Sequence, residues 1–203
     1  MNTDRVPGAT PGDVTLRRFN ATGARAQREV VSQIHRGAYA ERIAAGSQFD
    51  SVEAFMNRFD VYVQREGFDL VIAYDNTGPD ARPVGQTWGW PLGPQTAWWK
   101  GLEIPPEPSF TEEDGSRTFA LSEIMVCRPW TGRGIAHALH DALLRPRTEQ
   151  RATLLVRPDN PAYAIYTRWG WRKATQLRPG LPDAPLMDVL IMQLPLAPPG
   201  PEH

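Results

Sequence analysis

Residues 131–137 read Thr-Gly-Arg-Gly-Ile-Ala-His, just where an apolar helical period begins. Glycine inside a helix costs about 1 kcal/mol relative to alanine, so Gly132 and Gly134 need an offsetting reason. A strand that runs into a helix leaves the first backbone N–H groups of that helix without partners. The helix dipole adds roughly half a positive charge at the same end. Together they make an anion site, and glycines without Cβ let phosphate oxygens approach the amides. Arg133 can add a charge-assisted contact, and Ala136 extends the bare surface by a turn. Neither common phosphate loop fits. The P-loop pattern is missing, and the third glycine position of the dinucleotide fingerprint holds His137. The plain alternative is a helix start softened by glycine.

Other residues could do chemistry nearby. Glu123 stands on a strand face otherwise made of Phe119, Leu121 and Met125. Apolar surroundings raise a carboxyl pKa toward neutrality, where a base works best. A glutamate at a wet cleft edge with no chemical role is the other reading. Tyr166 carries a phenol that can serve as an acid, although it also falls on the buried stripe of its helix with Ile165 and Trp169. Cys127 has no base partner in view, and a lone cysteine beside a strand end reads as inert packing. His137 and His140 are spaced like a metal pair, but no third ligand suggests itself, so both read as helix surface and no metal is expected. His35 reads as surface or as part of an acceptor-side helix.

The elements that must position these groups follow from periodicity. Residues 13–20 alternate as a first strand, and residues 22–40 and 50–66 have helical spacing, the second helix capped by Asp50 or Ser51. Strands at 68–74 and 84–90 flank a turn and form a hairpin. Residues 91–117, with Trp98 and Trp99, make a long irregular loop, either a variable insertion or a flap with the tryptophans as contact surface. Trp88 and Trp90 read as core on at least one face. A strand at 119–126 precedes a helix from about Gly132 to Leu144, which Pro146 ends. Strand 152–156 has no polar face and reads as central. A helix then begins at Asp159 or Asn160, with Pro161 in its first position and Gly170 after its end. Strands at 171–175 and 188–194 close the fold. The class is α/β, a mixed and mostly antiparallel central sheet flanked by helices. It spans one domain at 13–194, with a frayed N-terminus at 1–12 and a Pro-rich tail at 195–203.

Composition bounds the partners. Lys and Arg number 22 and Asp and Glu 23, for a net charge of −1 over 203 residues. Such balance argues against nucleic acid or an anionic membrane as the main partner. There is no secretory leader pattern and no apolar run long enough to span a bilayer, so the expected location is cytoplasmic. The single cysteine excludes an internal disulfide and any multi-cysteine zinc site.

The block from residue 118 to 173 resembles the GCN5-related N-acetyltransferase (GNAT) superfamily. The strand "ALSEIMV", the turn "CRPWTGRGIA", the helix "HALHDALL", the strand "TLLV" and the run "RPDNPAYAIYTRWGW" follow the order of that family's two main motifs. The resemblance implies that acetyl-CoA is a co-substrate and that an amine is its acceptor. It assigns the diphosphate cradle to Thr131, Gly132, Arg133, Gly134, Ile135, Ala136 and His137. Ile124, Met125 and Val126 would pair with the pantetheine arm like a neighbouring strand, and Asn160 would bond the same arm. Glu123 would be the base, directly or through a water, and Tyr166 the acid for the departing thiolate. The N–H near Val126 would polarise the thioester carbonyl. Thr131 stands where the family commonly has Arg or Gln, with Arg128 or Arg133 as the substitute cation. The Asn160-to-Tyr166 spacing is one residue shorter than the commonest form, which makes Tyr163 the alternative acid. The implied activity is transfer of an acetyl group to a primary amine of a small molecule or peptide by direct attack in a ternary complex. A CoA-binding module without chemistry and a transferase of longer acyl chains are the alternatives. A homodimer is compatible with the resemblance.

Overall fold

The structure is a computed structural model that describes residues 4–5, 12–180 and 184–196. The expected frayed N-terminus and Pro-rich tail lie mostly outside the described residues. In chain order the elements are β1 (Asp4–Arg5), β2 (Val14–Asn20), α1 (Ala21–Ala26), α2 (Arg28–Ala38), α3 (Ala40–Ala44) and α4 (Val52–Tyr62). Then come β3 (Asp69–Asp75), β4 (Arg82–Pro91), β5 (Thr118–Val126), α5 (Ile135–Leu144), β6 (Arg151–Val156), α6 (Tyr163–Arg168), β7 (Arg172–Leu177) and β8 (Met187–Gln193). Among the described residues the strands form an eight-stranded sheet in the order β1-β2-β3-β4-β5-β6-β8-β7. The pairs β1/β2, β2/β3, β3/β4, β6/β8 and β7/β8 are antiparallel. The pair β5/β6 is parallel and covers only Thr118–Ala120 against Arg151–Thr153. A parallel pair needs a crossover, which α5 provides. The sheet is therefore mixed and mostly antiparallel with flanking helices, as the sequence predicts. No helix of the described residues is long and apolar enough to cross a membrane.

The chain forms two compact units. The first holds the chain up to Trp90 together with Leu121–Leu143. Its helices α2 and α4 bury Val31, Ile34, Phe55 and Phe59 completely or nearly so. The Phe55 and Phe59 rings pack at a tilt against the Trp88 ring, 5.3 and 5.2 Å away. Trp88 and Trp90 are both core, as expected. Gly85 of β4 lets α5 close on the sheet, because a Cβ there would stand 3.1 Å from Leu139 Cδ1 and 3.0 Å from the Met125 carbonyl oxygen.

In this unit one expected helix is broken and one open cap assignment is decided. The helix expected at 22–40 is three shorter ones, because Gln27 and Tyr39 leave helical geometry. A one-residue break hardly disturbs apolar spacing, so periodicity does not reveal it. At α4 the cap is Ser51, whose Oγ accepts from the Ala54 N–H at 3.2 Å. Asp50 is buried instead, accepting from the Ser47 hydroxyl at 2.9 Å and lying 3.6 Å from Arg42.

The second unit holds Pro91–Ala120 and the chain from Leu144 onward. Its irregular segment 92–117 carries its own core. Trp99 packs on Phe110 at 5.1 Å and is 6% exposed, so it is not a free contact surface. The Arg151 guanidinium lies over Phe110 at 4.7 Å, donates to its carbonyl at 2.6 Å and faces Glu113 at 3.3 Å. The same Glu113 oxygen accepts from Trp99 Nε1 at 3.0 Å and Thr118 Oγ1 at 2.8 Å. This buried network ties the segment to β5 and β6.

Candidate functional site

The first unit carries the glycine turn. Strand β5 ends at Val126, and the Cys127 N–H donates to the Val84 carbonyl at 2.8 Å. One 3-10 turn, Arg128–Trp130, follows. Trp130 Nε1 donates to Asp75 at 3.2 Å while Arg82 lies over its ring at 4.7 Å, which anchors the turn to β3 and β4. Gly132 and Gly134 both have φ near 76°. The helix proper starts at Ile135, so the glycines precede it rather than occupying its first turn as the sequence suggests. Their offsetting reason is thus conformational as well as spatial, since left-handed backbone is strained for any residue with a Cβ. A Cβ on Gly132 would meet no protein atom within 4 Å, so the backbone there borders open space. Thr131, Gly132, Arg133 and His137 are exposed and Ala136 is half-buried, whereas Ile135 is buried and offers its backbone alone.

The three residues weighed as polar or cationic partners differ. The Thr131 hydroxyl donates to the Arg128 carbonyl at 2.9 Å, which leaves only its lone pairs for a ligand. Arg128 is ion-paired with Glu41. Arg133 is exposed and lies within electrostatic reach of Asp75. Of the two substitute cations, Arg133 is the one that no short ion pair holds among the described residues.

Glu123 sits on the same strand that feeds the turn. Its side chain is half-buried, and burial of the carboxyl pushes its pKa up to about 7, with Asp50 adding to the rise and Arg58 opposing it. Arg58 and Tyr62 come from α4. Arg58 is itself fixed by a 2.9 Å bond to the Phe49 carbonyl and by the Phe49 ring at 4.3 Å. The sequence marked Asp50 only as a candidate helix cap and Arg58 not at all, because both reach Glu123 only through packing. Ile124 and Val126 are half-buried and Met125 is buried.

His35 is 1% exposed and stacked on Phe55 at 3.9 Å, so it is not a surface residue. Burial and Arg58 lower its pKa to about 4, which keeps the ring neutral. Cys127 is buried, its thiol donates to the Ile34 carbonyl at 3.7 Å, and burial raises its pKa. These features fit the inert packing expected of it. His137 is exposed as predicted, but His140 is only 2% exposed, because it shares the inward side of α5 with Leu139 and Leu143. The missing third donor is also present: Asp141 stands beside both histidines.

The second unit carries Asn160, Tyr163 and Tyr166. Helix α6 begins at Tyr163, later than the sequence implies, and Asn160 Oδ1 closes the turn ahead of it by accepting from the Ala162 N–H at 2.9 Å. Tyr166 is the buried residue of α6, with its ring edge-on to Trp169 at 5.8 Å. The Tyr163 hydroxyl donates to Asp188 at 2.8 Å, and burial together with that carboxylate pushes its pKa up to about 12. Asp188 also accepts from Lys173 at 2.8 Å and Gln176 at 2.7 Å. Although burial works against it, these bonds hold Asp188 below the usual carboxylate range. Tyr163 is therefore a poor proton donor.

No family model matches the sequence, and no curated protein matches it. Solved structures do. NAA60 of Arabidopsis thaliana, in complex with acetyl-CoA, is similar over 89% of this chain and 99% of its own, at 17% identity and a TM-score of 0.62. A ribosomal-protein alanine N-acetyltransferase of Escherichia coli is similar over 94% of this chain and 98% of its own, at 18% identity and a TM-score of 0.54. The PaiA N-acetyltransferase of Thermoplasma acidophilum, in complex with coenzyme A, covers 90% of this chain and 100% of its own, at 10% identity and a TM-score of 0.52. At these identities the likeness is one of architecture: the chain has the N-acetyltransferase (GNAT) fold.

Proposed function

We propose that this chain is an N-acetyltransferase that moves the acetyl group of acetyl-CoA to a primary amine of a small molecule or peptide, by direct attack in a ternary complex. The observation that carries the reading is the turn at Gly132 and Gly134, left-handed and open in front of α5 and fed by the strand that bears Glu123. The turn fits a diphosphate. Its left-handed backbone favours glycine, the space at the Gly132 Cβ position is open, and the positive end of a ten-residue helix lies behind it.

Acetyl-CoA supplies the activated acetyl thioester, and the chain's residues do the rest. The amides of Gly132–His137, with Arg133, hold the diphosphate. Backbone groups of Ile124, Met125 and Val126 bond the pantetheine arm, as does Asn160. Glu123, poised near neutrality, takes the proton that the ammonium form of the acceptor must lose. The N–H near Val126 polarises the thioester carbonyl. Tyr166 holds the proton for the leaving sulfur. It is preferred to Tyr163, whose hydroxyl is committed to Asp188.

The test is a thiol-release screen with acetyl-CoA across simple amines, amino acids, aminoglycosides and peptides, alongside calorimetry with acetyl-CoA alone. Release with one acceptor class supports the reading and names the substrate. Acetyl-CoA binding without release from any acceptor favours a CoA-binding module. Release only from longer acyl thioesters moves the donor. Absence of binding removes the basis of the proposal.

A further inference from the structure

We propose that His137, His140 and Asp141 form a site for one divalent transition-metal ion on α5. The three side chains present one donor atom each, and these atoms lie within 4.8 Å of one another. His137 Nε2 is 3.7 Å and His140 Nδ1 is 3.0 Å from the same oxygen, Asp141 Oδ1. Two donors at about 2.0–2.1 Å from one tetrahedral ion are themselves about 3.3 Å apart. The two separations to Asp141 bracket that value and the remaining pair lies within 4.8 Å, so rotations of exposed His137 and part-exposed Asp141 complete the geometry. The helix sets the arrangement: His137 and Asp141 are one turn apart on one face, and His140 precedes Asp141 directly. The two imidazoles lie nearly parallel, with planes at 13° and centroids 6.1 Å apart, which keeps both rings on the same side of α5.

The donor set selects the ion. Two imidazoles and one carboxylate suit zinc, nickel or copper, whereas calcium and magnesium take oxygen ligands. His140 is 2% exposed, which holds one donor rigid, while His137 is 55% exposed and gives the ion a way in. Three protein donors leave a fourth position for water or an outside ligand. The site does not depend on acetyl transfer.

The experiment uses the full chain without an affinity tag, stripped with chelator, and titrated with zinc chloride by calorimetry at neutral pH. The cobalt form is read in parallel by visible absorption. One ion per chain is expected, with the intense visible bands of four-coordinate cobalt. His137→Gln and Asp141→Asn should each weaken zinc at least about tenfold. Both positions reach the surface, so circular dichroism should confirm that the variants keep the fold. No saturable binding overturns the site. So does zinc affinity that survives both substitutions, or a cobalt spectrum no stronger than that of the hydrated ion.

Discussion

Replacing Glu123 with glutamine separates its cost to the fold from its use in the reaction. The glutamine keeps the shape and removes the titration. The carboxyl has a pKa of about 7 in the folded chain against an ordinary 4.5, a rise caused first by burial. Because the folded value is the higher one, the folded state binds the proton more tightly than the unfolded chain does. The stability this provides is complete below pH 4.5 and is lost as pH rises through 7. At about 1.4 kcal/mol per unit, the wild-type chain forfeits up to roughly 3 kcal/mol across that window through this one group. Glu123→Gln forfeits none of it. Urea unfolding at pH 5 and pH 8 should show the variant gaining up to roughly 3 kcal/mol on the wild type at the higher pH relative to the lower. The same substitution should lower kcat/KM about 10²-fold or more and erase the limb of the pH–rate profile near 7. Two results refute the reasoning independently. A stability difference that does not change between the two pH values shows that the carboxyl is not desolvated. An unchanged rate and limb show that the proton leaves by another route.

Other outcomes follow from the same geometry. Gly132→Ala should destabilise the fold by about 1–2 kcal/mol, because the added methyl meets no protein atom and the cost is the left-handed φ alone. Its acetyl-CoA Kd by calorimetry should rise about tenfold, on the scale of one lost charge-assisted contact. Tyr166→Phe should reduce kcat about 10²-fold in the thiol-release assay. Tyr163→Phe should leave kcat near wild type and cost about 1 kcal/mol of stability in thermal unfolding, through its lost bond to Asp188. Arg151→Met leaves the buried Glu113 carboxylate without its cation and should cost about 3–5 kcal/mol in urea unfolding. The double variant Arg151→Met, Glu113→Leu should recover much of that loss.

The central strands, their order in the chain and the turn ahead of α5 were legible because their signals are local. Weak alternation marks β2, a run without a polar face marks β6, and Gly170 at a φ of 97° ends the α6 segment as its sequence implies. Breaks were not legible at Gln27 or Tyr39, where one residue leaves the helix without disturbing the spacing. The 91–117 segment was read as irregular, but its sequence did not reveal the buried Arg151–Glu113 pair that holds it, because its partners come from distant strands.

The sequence alone determined which glycines can be left-handed, the order of helices and strands and which side chains share a strand face. Those properties depend on residues within a turn or two of one another. Only the tertiary structure decided the charge state and availability of the side chains. Glu123 is near neutrality because the packing of the first unit removes water from it and sets Arg58 and Asp50 nearby. Tyr163 is committed because β8 brings Asp188 to its hydroxyl, and His140 is buried because α5 turns that side inward. Desolvation and pairing act across space between residues far apart in the chain, so a linear pattern carries no record of them.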